Sequence, residues 1–567
     1  MPVTILPFKA EVDAKGGLSE EELFQWLSED LREAAQQNRH LKDYLRAIPI
    51  EDIGVPEYYL KLSRGMGGGQ KNLIYPVADD IFIHIYSDPG GGRGHYIPIE
   101  PDTMQDMTQI MQDVEENLIN VAETLYEAET KQEKAEALMA AVAKICEVKR
   151  GATNGKEKNK KQAKIQTTPE QFEALKYVAL RDKLGLGVTE PILLDPYIED
   201  ISQSGIGPLF VEHKIFKSLE SSIVFETTED LDDFVLRLSE AIGRPVTLRK
   251  PIVDATLPDG SRINIVFGTN VSRNGSNFSI RKFTETPMSI LDLVGLGSVT
   301  YQMAAYFSIV VEDGCNVFIV GEAASGKTTL MNAITTFIPR NAKIVSIEDT
   351  PELQVPHSNW LREVSKTTGV QEKGAQVSMF DLLKAALRQR PNFIIVGEIR
   401  GAEGAIAFGA MQTGHSVMST FHASNVEKVI QRLTGNPINI PNTYIDSLNI
   451  VVCVNNVSLP GGESARRVTS ISEIVGYDAS DDAFSYVEVF QWDPAADKFE
   501  FVGNKNSFLL EEKIAPKRGY PSEKRWKIYT LLEKRAKIME RLHKEKEVSG
   551  FHEFFDVIDQ AQREGLF

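Results

Sequence analysis

Gly321-Glu322-Ala323-Ala324-Ser325-Gly326-Lys327-Thr328-Thr329 reads G-x-x-x-x-G-K-T, the pattern of a phosphate-binding loop. The glycines let backbone N–H groups turn inward around phosphate oxygens. In such a loop the lysine, here Lys327, reaches the β- and γ-phosphates, and the Thr328 hydroxyl ligates Mg²⁺. The flanks fit. Asn316–Val320 (NVFIV) predicts a buried strand entering the loop, and Thr328–Phe337 (TTLMNAITTF) predicts a helix leaving it, stopped by Pro339. A loop between strand and helix sets the anion on a helix N-terminus, where free N–H groups and the dipole favour negative charge.

Outward from the loop, strands and helices alternate between about Val299 and Val454. Expected strands are Asn316–Val320, Lys343–Ile347, Phe393–Val396, Val417–Thr420 and Ile450–Val454. Expected helices include Thr328–Phe337, Met379–Gln389, Glu403–Gln412 and Asn425–Leu433. Repeated strand–helix units predict a parallel sheet covered on both faces. Upstream, 166–290 reads as a small α+β domain, with a helix near Glu170–Leu184 and a further helix Thr228–Ile242 among short strands. Residues 1–100 read as a variable α+β region whose two glycine-rich loops, Gly65–Gly69 and Gly90–Gly94, are turns. Residues 101–165 read as a helical segment followed by a basic linker. Lys149–Lys164 holds seven basic residues against one Glu. The core around the phosphate loop is expected over 291–475, and 476–567 as strand-rich, then helical. There Ile528, Leu531, Leu532, Met539 and Leu542 make one stripe of an amphipathic helix.

Across the 567 residues, 42% are hydrophobic and 25% charged, enough for several large cores. The net charge of −18 argues against general nucleic-acid binding, which needs a basic footprint. Three distant cysteines suit a reducing compartment and exclude a four-cysteine zinc site within the chain. No apolar run reaches membrane-spanning length, and no signal peptide is evident. A cytoplasmic protein is expected.

A phosphate loop predicts binding; hydrolysis also needs carboxylates near Mg²⁺ and an attacking water. Two acidic clusters end expected strands of the same sheet: Ile347-Glu348-Asp349-Thr350-Pro351-Glu352 and Ile395-Val396-Gly397-Glu398-Ile399-Arg400. Ligands of open parallel sheets sit at the carboxyl ends of strands, so both clusters are expected to face the loop. A third segment, Thr413-Gly414-His415-Ser416-Val417-Met418-Ser419-Thr420-Phe421-His422-Ala423, sets two histidines at opposite ends of a strand. That spacing suits a nucleotide-sensing or water-ordering residue at one end rather than paired metal ligands.

The order of these motifs resembles the type II/IV secretion ATPase superfamily. The likeness extends to Asp195–Ile201 (DPYIEDI), Pro251–Asn264 and Phe278–Phe283 upstream. Asn72–Val77 (NLIYPV) and Tyr96–Pro101 (YIPIEP) look like the archaeal branch, most like the archaellum motor ATPase. The paired-cysteine zinc module of many bacterial type II relatives is absent. The resemblance implies an α/β fold. Its parts are a RecA-like P-loop NTPase core, a preceding α+β (PAS-like) N-terminal domain and a helical C-terminal tail. It implies a homohexamer hydrolysing ATP with Mg²⁺ at subunit interfaces. Implied partners are a polytopic membrane platform protein, contacted from the cytoplasmic face by peripheral association, and a RecA-like regulatory ATP-binding protein. By the same analogy Gly321 to Thr329 hold phosphate, Thr328 holds Mg²⁺, and Glu398 reaches the ion through water. Glu348 is the expected base, Glu352 the alternative, and Asp349 orders the box. His422 reports the γ-phosphate. Arg244, Arg262 and Arg281 are candidates for arginines supplied in trans. Pilus assembly or secretion within the same superfamily, a nucleic-acid motor and a non-hydrolysing regulator are the alternative functions.

Overall fold

The computed structural model describes residues 2–8, 20–67, 69, 71–88, 92–104, 107–118, 130–148, 164–283, 286–365, 377–462, 464–478, 480 and 483–567. Most of the expected basic linker lies outside them. The chain divides into two units, Met1–Phe283 and Thr284–Phe567. Among the described residues no helix is long and apolar enough to cross a membrane.

In the first unit, β-branched and aromatic runs pair into one sheet with helices packed on it. Ile81–Tyr86 (IFIHIY) is buried at every position. Its alternating side chains serve two cores: Ile83 and Ile85 pack on one face, Phe82 and Tyr86 on the other. The helices Glu29–Gln37 and Arg39–Ala47 cover the second face through Leu31, Leu41, Tyr44 and Leu45. His84 is buried there between Tyr44 Oη (2.7 Å) and Asn72 Oδ1 (2.8 Å), and burial pushes its pKa down to about 3.

One pairing joins regions that the sequence separates. Gly94–Ile99 pairs in parallel with Lys217–Phe225, so the strands before residue 100 and those of 166–290 share a sheet. Satisfying an otherwise open strand edge favours the pairing, but strand patterns do not name their partners. A buried carboxylate reinforces it: Asp195 accepts from Tyr75 Oη (2.7 Å), Tyr96 Oη (3.0 Å) and the Tyr197 amide (2.8 Å). Beyond it, Ile198–Gln203, Asn277–Arg281, Arg262–Val266 and Ile252–Thr256 continue the sheet as an antiparallel set. Ile252–Thr256 forms the outer edge.

The second unit is built around the expected parallel sheet. Its order is Trp360–Val364, Ile344–Glu348, Phe393–Glu398, Ser416–Phe421, Val317–Val320, Ile450–Ser458. These six strands are all parallel. The P-loop strand Val317–Val320, first of the six in sequence, is fifth in that order, and its neighbours are the last two in sequence: a RecA-like arrangement. Each of its side chains is buried, Val317 and Ile319 in one core and Phe318 and Val320 in the other. That explains the continuous apolar run. The edge strand Trp360–Val364 is half exposed and carries Arg362 and Glu363, so its hydrophobic signal is weak.

Beyond Ile450–Ser458 the sheet turns antiparallel through Ser464–Asp478, Ala483–Asp493 and Lys498–Glu500. The boundary expected at 475/476 thus falls inside a strand. The helical tail follows: Lys527–Glu545 packs on Tyr301–Glu312, with Ile528, Leu532 and Met539 in the core. The same face buries Arg535, paired with Glu312 at 2.6 Å and hydrogen-bonded to Ser308 at 3.1 Å.

Candidate functional site: a phosphate loop facing two glutamates

The P-loop leaves its strand beside Ile450–Ser458, and backbone crowding dictates its first glycine. A Cβ on Gly321 would lie 2.1 Å from the Val454 carbonyl oxygen. Gly326 begins the helix Lys327–Thr335 at φ 96°, a conformation that favours glycine, and offers no capping side chain. The first helical N–H groups are therefore free to bind an anion. Lys327 is buried across the loop, donating to Gly321 O (3.1 Å) and Glu322 O (2.6 Å). Burial lowers its pKa, and Glu398 and Glu352 act to raise it.

The strand ends bring the acidic clusters to the same edge. Ile344–Glu348 and Phe393–Glu398 run side by side in register, Ile347 opposite Val396, and Phe421 lies opposite Val320. Glu348 is 2% exposed. Its Oε1 accepts the Glu352 and Leu353 amides, both at 2.8 Å, while Oε2 lies 3.7 Å from Arg362 Nε. Burial pushes its pKa up to about 7; the two amides and Arg362 oppose that. Glu352 accepts from the Thr328 hydroxyl at 3.3 Å. The missing side chain at Gly397 gives Glu348 room: a Cβ there would sit 3.1 Å from Glu348 Cγ.

Glu398 lies 3.0 Å from His422 Nε2 and 2.5 Å from an Arg400 nitrogen. Arg400 also reaches Asp349 at 3.3 Å, linking the two acidic strand ends. The Glu398 bond raises the Arg400 pKa. The backbone of His422 is held by Arg432, whose guanidinium donates to the His422 carbonyl and lies 5.0 Å over the Phe421 ring. His415 precedes the strand Ser416–Phe421, at the edge away from the loop, where it contacts Thr413 at 3.1 Å.

Ser325 Oγ and Glu348 Oε2 are buried oxygens without a hydrogen-bond partner among the described residues, Glu348 Oε2 meeting only Arg362 at ion-pair distance. Buried oxygens that accept no hydrogen bond, beside a free helix N-terminus, fit a site completed by a polar ligand. The donor set fits Mg²⁺, which binds through one or two protein oxygens, substrate phosphates and water. Thr328, Glu352 and Glu398 are the oxygens at hand. Among the described residues no cluster of three His, Cys, Asp or Glu forms a metal cage.

The structure thus brings Lys327, Thr328, Glu348, Asp349, Glu352, Glu398 and His422 together in the second unit. The three candidate arginines belong to the first. Arg262 and Arg281 stand opposite each other on paired strands, exposed, with Arg262 on Asp254 at 2.7 Å and Arg281 on Asp200 at 3.1 Å. Arg244 follows the helix Thr228–Ala241, its amide on Ser239 O at 2.9 Å. Sequence reasoning gave no role to Arg400, although its place two residues after Glu398 on extended backbone sets both on one side. Arg362 and Arg432 carried no such signal.

A family model described as Type II/IV secretion system protein matches residues 183–456. An uncharacterized protein of Methanocaldococcus jannaschii is 43% identical over 95% of this chain and 97% of its own length. The type IV secretion system protein PtlH of Bordetella pertussis is 30% identical over 42% of this chain and 80% of its own. Among solved structures, the Legionella pneumophila ATPase DotB aligns at 21% identity over 48% of this chain and 76% of its own, with a TM-score of 0.37. With the P-loop, the two acidic strand ends and the histidine strand in one sheet, the chain belongs to the type II/IV secretion system protein family.

Proposed function

We propose that the chain is a mechanochemical ATPase that hydrolyses ATP with Mg²⁺ to drive a membrane-bound filament or secretion machine. The observation that carries this is Glu348: a buried carboxylate held by two backbone amides through one oxygen, the other accepting no hydrogen bond, beside a phosphate loop. Such a group is built to take a proton from water, and its pKa of about 7 suits a general base near neutrality.

In this reading, Lys327 exchanges its two loop carbonyls for phosphate oxygens. Thr328 and, through water, Glu398 would hold Mg²⁺, which would neutralise charge on the phosphates. His422, beside Glu398, hydrogen-bonds the γ-phosphate and passes its presence to Arg432 and its helix. Arginines from the first unit of a neighbouring subunit complete the site, Arg262 and Arg281 ahead of Arg244. Such a residue adds roughly 10³–10⁵ in rate. ATP contacts then favour one hinge state, and phosphate release removes them.

The machine we propose is an archaeal type IV pilus-like filament, the archaellum first, reached through a polytopic platform protein by a homohexamer at the cytoplasmic face. Support comes from the archaeal-type segments Asn72–Val77 and Tyr96–Pro101 and from the archaeal relative spanning 95% of the chain. Pilus assembly or secretion is the alternative, favoured by the PtlH likeness. The test is chromosomal Lys327→Ala in the source organism. The reading expects normal protein levels with loss of one surface filament, and swimming lost if that filament is the archaellum. Intact filaments, motility and secretion with the variant as the sole copy would overturn it.

A further inference from the structure

The strand Ser464–Asp478 carries consecutive arginines, and the pleat sends their side chains to opposite faces. Arg467 is buried and structural: both its bonds to Asp497 measure 2.9 Å, and it donates to Leu296 O at 3.1 Å. Arg466 is different. It is exposed, and among the described residues no hydrogen bond or ion pair engages its guanidinium. Its stem runs beside the phosphate loop: a Cβ on Gly326 would lie 3.4 Å from Arg466 Cδ.

The sheet order says which end of a nucleotide this arginine meets. Glu348, Glu398 and His422 stand at the ends of strands to one side of Val317–Val320. Ile450–Ser458 and Ser464–Asp478 lie on the other, Val320 opposite Cys453 and Asn456 opposite Arg466. A nucleotide whose γ-phosphate meets the glutamates turns its α-phosphate toward Arg466. We propose that Arg466 is a nucleotide-anchoring residue of the same subunit, donating to α-phosphate oxygens. It thus differs from arginines supplied in trans, which act on the γ-phosphate.

The inference rests on the hydrolase reading, and one experiment separates the two. Fluorescent ADP and ATP analogues are titrated into the full-length wild type, Arg466→Ala and Arg466→Met, with steady-state turnover measured in parallel. Methionine keeps the apolar stem beside Gly326 and removes only the guanidinium. Losing a charge-assisted phosphate contact weakens binding by about tenfold to a hundredfold. Both variants are expected to lose ADP and ATP affinity by the same factor. KM rises accordingly and kcat falls less than about twofold, the mark of a contact made equally in ground and transition states. Arg466→Met binding both nucleotides as tightly as wild type overturns the inference. So does a loss confined to ATP or to kcat. A wild type that binds no nucleotide overturns the hydrolase reading itself.

Discussion

At the scale of single residues, the site is defined by what its side chains lack. Glu348 has an oxygen with no hydrogen-bond partner and a pKa raised to about 7 by burial. Folding therefore favours the protonated form. Its stability contribution is full below the unfolded value near 4.5 and is lost as pH rises through about 7. In the nucleotide-free protein, Glu348→Gln is expected to gain on wild type between pH 5 and 8, by an amount on the order of 3 kcal/mol. Parallel melts across that range measure it; a constant offset contradicts the assignment. If Glu348 is the base, turnover falls on the acid side as the carboxylate takes its proton. Gly321 has the opposite character, since contact rather than charge fixes it. Gly321→Ala forces a Cβ against the Val454 carbonyl and is expected to cost roughly 1–3 kcal/mol. Nucleotide binding should be lost with it, as titration would reveal. Gly321, Lys327 and Thr328 were legible in sequence because loop chemistry fixes residue type at fixed spacing. Arg362 and Arg432 were not: their roles depend on which strand and helix lie beside Glu348 and His422.

Elements with strong local signals were the legible ones. The helix Glu403–Gln412 and the strand entering the P-loop follow from apolar pattern and flanking turns. Tyr301–Glu312 escaped because nearly all its positions are buried, leaving little polar face to mark a period. Trp360–Val364 escaped for the converse reason, as a half-exposed edge. The stripe on Lys527–Glu545 was read as apolar, yet Arg535 sits within it at helical spacing. That arginine pairs with Glu312 and lies 4.5 Å over the Phe567 ring, so the helix docks through a charge as well as a core. Arg535→Met is expected to destabilise the second unit by about 3 kcal/mol, the low end for one half of a buried pair. Arg518 still neutralises Glu312 at 2.9 Å, which keeps the loss there. Urea unfolding followed at a probe in that unit measures it; an unchanged midpoint would mean that packing alone seats the helix.

For the whole molecule, the α/β class with a RecA-like core was legible because motif order fixes strand order around a P-loop. The continuous sheet of the first unit was not, because Gly94–Ile99 and Lys217–Phe225 lie more than a hundred residues apart. Assembly is the remaining question at this scale. If Arg262 and Arg281 act in trans, Arg281→Ala alone should lose turnover by about 10³-fold or more while keeping ADP affinity. Mixed with Lys327→Ala subunits, which keep their arginines, it should regain activity. Two inactive variants that stay inactive in the mixture would rule out sharing across subunits.

The central claim is that this P-loop and its facing glutamates hydrolyse ATP. Steady-state phosphate release by the full-length wild type, Lys327→Ala and Glu398→Gln, alongside nucleotide titration, tests it most directly. The account predicts Mg²⁺-dependent turnover by wild type, neither binding nor turnover by Lys327→Ala, and binding without turnover by Glu398→Gln. Wild type that binds nucleotide and releases no phosphate, or Glu398→Gln that turns over as wild type does, would contradict it.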